Sequence, residues 1–153
     1  MTEETTPALY FAYGSNMNAE RMLERVGWNT PRFAAQLQDY ELRFNKMAQD
    51  YGWCAANIVP ASGRKVEGAV YKVTERELLI LDSYEGVATE QYERQVLQVL
   101  DLQGCSWEVI AYVALNTGPD QPPTREYLDH LLAGKPLLSP EYFLKLQQIK
   151  AIE

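Results

Sequence analysis

The chain has 153 residues, 46% hydrophobic and 23% charged, and carries a formal net charge of −7. That length and balance predict a single folded domain, residues 1–153, with its own core, and no apolar run approaches the roughly 20 residues of a membrane span. The acidic balance and the lack of a basic stripe exclude nucleic acid, so the expected partner is a small molecule, and nothing in the composition fixes an oligomeric state.

Residues 1–7 are acidic and polar, the opposite of a signal peptide, and read as the flexible tail of a cytoplasmic protein. Residues 9–13 (L-Y-F-A-Y) form an aromatic run stopped by Gly14, a buried strand entering a tight loop. Asn18 caps the helix that follows, with Met22, Leu23 and Val26 on its inner face and Gly27 ending it. Three or four strands are expected next, at residues 33–37, 40–45, 54–59 and 66–73. Thr74 and Glu77 match the S/T-x-x-E capping box. The helix they open turns Leu78, Leu79 and Leu81 inward, with Ile80 at the margin, and stops at Gly86. Glu85 is thereby left at a helix C-terminus, where the macrodipole disfavours an anion. As a stability device that carboxylate is misplaced, which singles it out.

Residues 91–100 and 105–115 are β-rich runs joined by a hairpin loop at residues 101–104. The second run alternates, with Trp107, Val109, Ala111 and Val113 on one face and Glu108, Ile110 and Tyr112 on the other. After a turn-rich connection at residues 116–123, one helix runs from about residue 124 to residue 133 and is closed by Gly134 and Pro136. A last helix starts at Ser139, with Pro140 at N1, and carries Phe143, Leu146 and Ile149. Strands dominate and helices intervene irregularly, which predicts an α+β fold: a small mixed, partly closed β-barrel with flanking helices.

The densest signal is Y-F-A-Y-G-S-N-M at residues 10–17. A strand ending in Tyr13-Gly14-Ser15-Asn16 before a helix presents successive backbone N–H groups that can form an anion-binding nest. The same spacing equally describes a plain strand-to-helix turn with a polar cap. Three further stretches follow in order: G-W-C-A-A-N-I-V-P at residues 52–60, L-D-S-Y-E-G-V at 81–87, and P-P-T-R-E-Y at 122–127 with L-S-P-E-Y at 138–142. Together the four resemble the γ-glutamylcyclotransferase family over nearly the whole chain from residue 8.

The resemblance implies the family's small β-barrel with flanking helices. It also implies a reaction in which a γ-glutamyl amide or γ-glutamyl amino acid closes to 5-oxoproline and releases the amine. Glu85 falls on the general acid/base. Tyr10, Phe11, Ala12, Tyr13, Gly14, Ser15 and Asn16 belong to the loop that holds the glutamyl group. Tyr92 falls beside the glutamate, and Tyr127 closes over the substrate. Nucleophile and carbonyl belong to one molecule, so the enzyme gains by folding the arm into reactive geometry, and neither metal nor cofactor is implied. Two other readings stay open: the same chemistry on a different γ-glutamyl-tagged metabolite, or a non-catalytic binding module.

Other residues fit less well. Ser15 as a nucleophile lacks a base, since the one histidine, His130, reads as a surface or packing residue of its helix. Asp82, one turn before Glu85, reads as a solvated charge or hydrogen-bond partner. Cys54 and Cys105, without a CxxC pair, read as reduced thiols, and two Cys with one His are too few for a Cys/His zinc site.

Overall fold

In the computed structural model, which describes residues 6–48 and 52–153, the elements run β1 (Pro7–Ala12), α1 (Ala19–Val26), β2 (Arg32–Met47), β3 (Cys54–Thr74), α2 (Glu75–Glu85), β4 (Tyr92–Asp101), β5 (Ser106–Ala114), α3 (Arg125–Leu132) and α4 (Pro140–Gln147). The five strands close a barrel in the order β1-β3-β2-β4-β5. It is closed rather than partly closed, but two of its seams are thin. β1 meets β5 through the single pair Tyr10–Ile110, and β2 meets β4 through two pairs at Ala35 and Gln36.

Four expected strands merge into two. β2 and β3 form one long antiparallel hairpin, and the expected breaks at residues 38–39 and 60–65 are irregularities within it. Asp39 adopts φ 64°, and its Oδ1 accepts from Gly63 N–H at 3.0 Å. A bulge of this kind bends and twists a strand pair without ending it. β1 starts at Pro7, paired with Thr74, so Pro7 belongs to the barrel and not to a tail. Residues 1–5 lie outside the described residues.

The helix starts follow the sequence closely. Asn18 Oδ1 accepts from Glu20 N–H, and Gly27 ends α1 at φ 91°. The capping box of α2 is complete: Thr74 Oγ1 accepts from Glu77 N–H at 3.2 Å, and Glu77 Oε1 accepts from Thr74 N–H at 2.8 Å. Trp28 Nε1 donates to the other oxygen of Glu77, tying the segment after α1 to the start of α2. Thr124 and Ser139 cap α3 and α4. Gly134 has φ −78° and opens a short 3-10 turn over Lys135–Leu137, so α3 ends through Ala133 rather than a left-handed glycine. Two inward assignments are corrected. Leu23 and Leu79 are exposed, while Met22, Leu78 and Leu81 are buried.

Alternation along the strands divides the core. Phe11, Tyr13, Leu37, Ile58, Val66, Val70, Val99 and Val109 come from all five strands and fill the barrel. The opposite faces of β1, β3 and β5, carrying Tyr10, Ala69, Tyr71 and Tyr112, pack with Met22 of α1 and Leu78 and Leu81 of α2. A third cluster joins Met17 to Leu128 and Leu131 of α3 and Tyr142 and Leu146 of α4. Removing such apolar surface from water stabilises by about 25 cal/mol per Å². Tyr10 and Phe11 thus anchor opposite faces of β1, and this fixes where the chain leaves the barrel at Tyr13.

Candidate active site

Where β1 leaves the barrel, the chain turns through Gly14 into a 3-10 turn (Ser15–Met17) and then into α1. Gly14 has φ −113°, so its need for glycine is one of space and not of handedness. A Cβ there would stand 3.3 Å from Tyr127 Oη and 3.5 Å from Ala56 Cβ. Beside this turn lies a cavity of about 170 Å³, roughly the volume of five or six waters. Tyr10, Phe11, Tyr13, Gly14, Ser15, Asn16, Glu85, Tyr92 and Tyr127 all line it. Of the expected site residues only Ala12 is absent from the wall, being packed at 2% exposure in the core beneath.

Glu85 is the last residue of α2, and Gly86 turns the chain away at φ 71°. Its side chain is 18% exposed, with Oε1 4.0 Å from Arg25 Nη1. Burial raises the Glu85 pKa and is the largest influence; Arg25, Arg21 and Lys46 pull it down, and Asp82 pushes it further up. The helix C-terminus acts in the same sense as burial. The result is a carboxyl group that holds its proton more tightly than usual yet has cations near enough to make ionisation accessible.

Asp82 is not free to share that role. Both its oxygens are held by Arg94, at 2.8 and 2.7 Å, and Oδ1 also accepts from Tyr112 Oη at 2.6 Å. Arg94 reaches Glu75 as well, at 2.9 Å. This network braces α2 against β4 and β5 one turn below Glu85.

All but one of these tyrosines are held by backbone groups, Tyr10 by a side-chain amide. Tyr13 Oη donates to the carbonyl of Tyr112 at 2.5 Å. Ala56 of β3 is gripped from two sides: its carbonyl accepts from Tyr92 Oη at 2.7 Å, and its N–H donates to Tyr127 Oη at 3.0 Å. Tyr10 Oη accepts from Asn16 Nδ2 at 2.9 Å, and Tyr71 Oη donates to the Asn16 carbonyl at 2.6 Å. Burial raises the pKa of all of them, with Tyr127 at about 12, so these hydroxyls stay protonated near neutral pH.

Six lining residues lie outside the expected site set: Ala55, Ala56 and Tyr84, which fall in the stretches that carry the resemblance, and Arg21, Arg25 and Tyr112, which the sequence reading does not link to the site. Arg21 and Arg25 lie one turn apart on α1, where exposed charges are the usual expectation. A signal existed, since Arg25 is three residues after the buried Met22 and therefore shares its face. His130 is half-buried between α3 and α1. Its Nδ1 lies 2.9 Å from the Asn18 side-chain amide and its Nε2 3.3 Å from Arg21 Nη1. Of the two C-terminal stretches that resemble the family, the first brings Tyr127 to the cavity, but Ser139 and Tyr142 of the second do not reach it. They line a separate open groove of about 1110 Å³ between the β2–β3 hairpin and α4, where Ser139 caps α4 while bonded to Glu67.

The profile of the family described as "Gamma-glutamyl cyclotransferase, AIG2-like" matches residues 10–130, which run from the first cavity tyrosine to His130. The chain belongs to this family. It is 32% identical to a human gamma-glutamylcyclotransferase over 95% of this chain and 78% of that one, and 30% identical to the mouse protein of the same name over 99% and 83%. Among solved structures, one titled "Gamma-glutamyl cyclotransferase" superposes with a TM-score of 0.88 at 30% identity, covering 96% of this chain and 90% of that one. The five-stranded barrel with flanking helices is thus the fold of the gamma-glutamyl cyclotransferases. No helix among the described residues is long and apolar enough to cross a membrane.

Proposed function

We propose that this chain converts a γ-glutamyl amide or γ-glutamyl amino acid to 5-oxoproline and the free amine, as a single cytoplasmic domain, with Glu85 as general acid/base. The observation that carries the reading is that Glu85 is the one carboxylate lining the cavity among the described residues, and that burial raises its pKa. A raised pKa brings a carboxyl group nearer to that of the proton it must move, which is what general acid–base catalysis requires.

The steps follow from the parts. The α-ammonium of the glutamyl group gives a proton to the Glu85 carboxylate. The freed amine attacks the γ-carbonyl carbon of the same molecule, forming the C–N bond of the five-membered ring and a tetrahedral oxyanion. Backbone N–H groups at Gly14 and Ser15 are the donors closest in kind to an oxyanion hole. Glu85 then delivers its proton to the departing nitrogen as the oxyanion collapses to the lactam carbonyl and the original amide bond breaks. The restored carboxylate takes the second proton from the ring nitrogen and passes it to the freed amine, which leaves as an ammonium. The tyrosine hydroxyls, kept protonated by burial, shape the cavity without competing for the proton. The nucleophile is the substrate's own amine, so the protein supplies position and a proton relay. Release of 5-oxoproline measured across a panel of γ-glutamyl amino acids, γ-glutamyl amines and glutathione tests this. Turnover of at least one compound is expected; none across the whole panel would refute it.

A further inference from the structure

The cavity holds more positive charge than its reaction needs. Arg21 and Arg25 are its lining cations, and Glu85 is the one acidic group on its wall among the described residues. Arg25 is well answered. Its Nη1 stands 4.0 Å from Glu85 and donates to Asn16 Oδ1 at 3.1 Å, and its guanidinium carbon lies 4.6 Å over the Tyr84 ring. Arg21 is not. Its Nε donates to Ser15 Oγ at 3.1 Å and its Nη1 faces His130 Nε2 at 3.3 Å; among the described residues no carboxylate stands within ion-pair distance. Burial and the charge of Arg25 lower the pKa of Arg21, and burial and Arg21 lower that of His130, so both direct partners are neutral. The carboxylate of α3 that it senses, Glu126, is exposed.

A half-buried guanidinium without a counter-ion is costly unless an anion arrives from outside. The two bonded nitrogens leave Nη2, with two N–H groups of its own, without a protein partner among the described residues and open to an anion from outside. We propose that Arg21 is a specificity-determining residue that receives the carboxylate of the departing amino acid. The inference rests on the cyclotransferase reading above and deepens it. The α-amine of the substrate must reach Glu85, and its α-carboxylate hangs from the same carbon, so that group falls near Arg25. Arg21 stands one helical turn along α1, a rise of about 6 Å. The departing carboxylate lies across the scissile amide from the first, and a second cation one turn away matches that separation.

The test compares γ-glutamyl-alanine with γ-glutamyl-ethylamide, which differ only by the departing group's carboxylate. The readout is the ratio of their kcat/KM values for 5-oxoproline release. A charge-assisted pair of this kind is expected to favour the alanine compound in the wild type by about 10²-fold, mostly through KM. In Arg21→Gln the ratio should fall to within about fivefold of unity, and Arg21→Lys should stand between, keeping the charge but losing the fork. Wild type without a preference would overturn the inference, an arm that needs no variant to fold. An unchanged ratio in Arg21→Gln, with both rates reduced alike, would also overturn it and assign Arg21 to the glutamyl half. Absence of 5-oxoproline from both compounds in the wild type, with another member of the panel turned over, would overturn this inference alone; absence across the whole panel would overturn the cyclotransferase reading and this inference with it.

Discussion

Glu85 joins two properties that usually exclude each other, burial and ionisability. Its raised pKa follows from burial and its reach toward ionisation from Arg25 and Arg21, so these opposing influences can be separated by mutation. Glu85→Gln keeps the shape and removes the proton relay; turnover should fall on the order of 10²-fold or more, measured on protein whose circular dichroism is unchanged. The acid limb of the kcat/KM profile should sit above the ordinary carboxylate range, because activity needs the ionised form. Arg25→Gln should move that limb to higher pH, since the positive charge that favours ionisation is gone; a limb that stays in place would remove Arg25 from the relay. The stability sign is opposite to the catalytic one. A carboxyl whose folded pKa is raised contributes fully below its unfolded value of about 4.3, and the contribution is lost as pH rises through the folded value. Glu85→Gln should therefore melt above the wild type near neutral pH, and the gap should close in acid.

At the scale of the element, the barrel, the capped helices and most of the site were legible because local chemistry dictates them. The capping box at Thr74 and Glu77 and the left-handed Gly86 set both ends of α2, and with them the position of Glu85. Legibility failed where tertiary contacts overrule local pattern. Bulges hid the continuity of β2 and β3. Leu23 and Leu79 sit on exposed faces, while Arg21 and Arg25 turn to the cavity, because a neighbour offers Ser15 and Glu85 there instead of apolar surface. Nor does any sequence pattern announce that Tyr92 and Tyr127 both end on Ala56. That double grip ties β4 and α3 to β3 at the cavity wall, so Tyr127→Phe should leave the Ala56 N–H without its acceptor. The expected cost is about 1–3 kcal/mol by chemical denaturation, together with a loss of activity as the wall at Gly14 loosens. A variant as stable and active as the wild type would show that the hydroxyl holds nothing.

The molecule as a whole is a barrel closed by few backbone pairs at two seams, and side chains do much of the closing. Tyr13 ties β1 to β5, and Asn57 reaches from β3 to accept from the Ala114 N–H of β5, strands that are not neighbours in the sheet. The candidate site stands at the end of the β1–β5 seam, so whatever sets the path of β1 there also sets the loop at residues 13–16. Gly68 of β3 is the tightest point on that path: a Cβ would fall 2.3 Å from the Ala12 carbonyl oxygen and 3.0 Å from Phe11 Cε1. Because the obstacle is backbone, no rotamer change relieves it, and Ala12 must move. Gly68→Ala is thus expected to cost about 3 kcal/mol or more, at the upper end of overpacking effects, and to depress turnover by shifting the loop that follows Ala12. Gly63→Ala is the matched control. Gly63 lies on the same strand at φ 79° with nothing within 4 Å of the added atom, so its penalty is conformational, about 1–2 kcal/mol, and activity should hold. Denaturant unfolding and 5-oxoproline release on the two variants separate the effects. Equal penalties, with activity intact in both, would mean that β1 can yield at Gly68 without disturbing the site, and that the path of the strand does not govern the chemistry at its end.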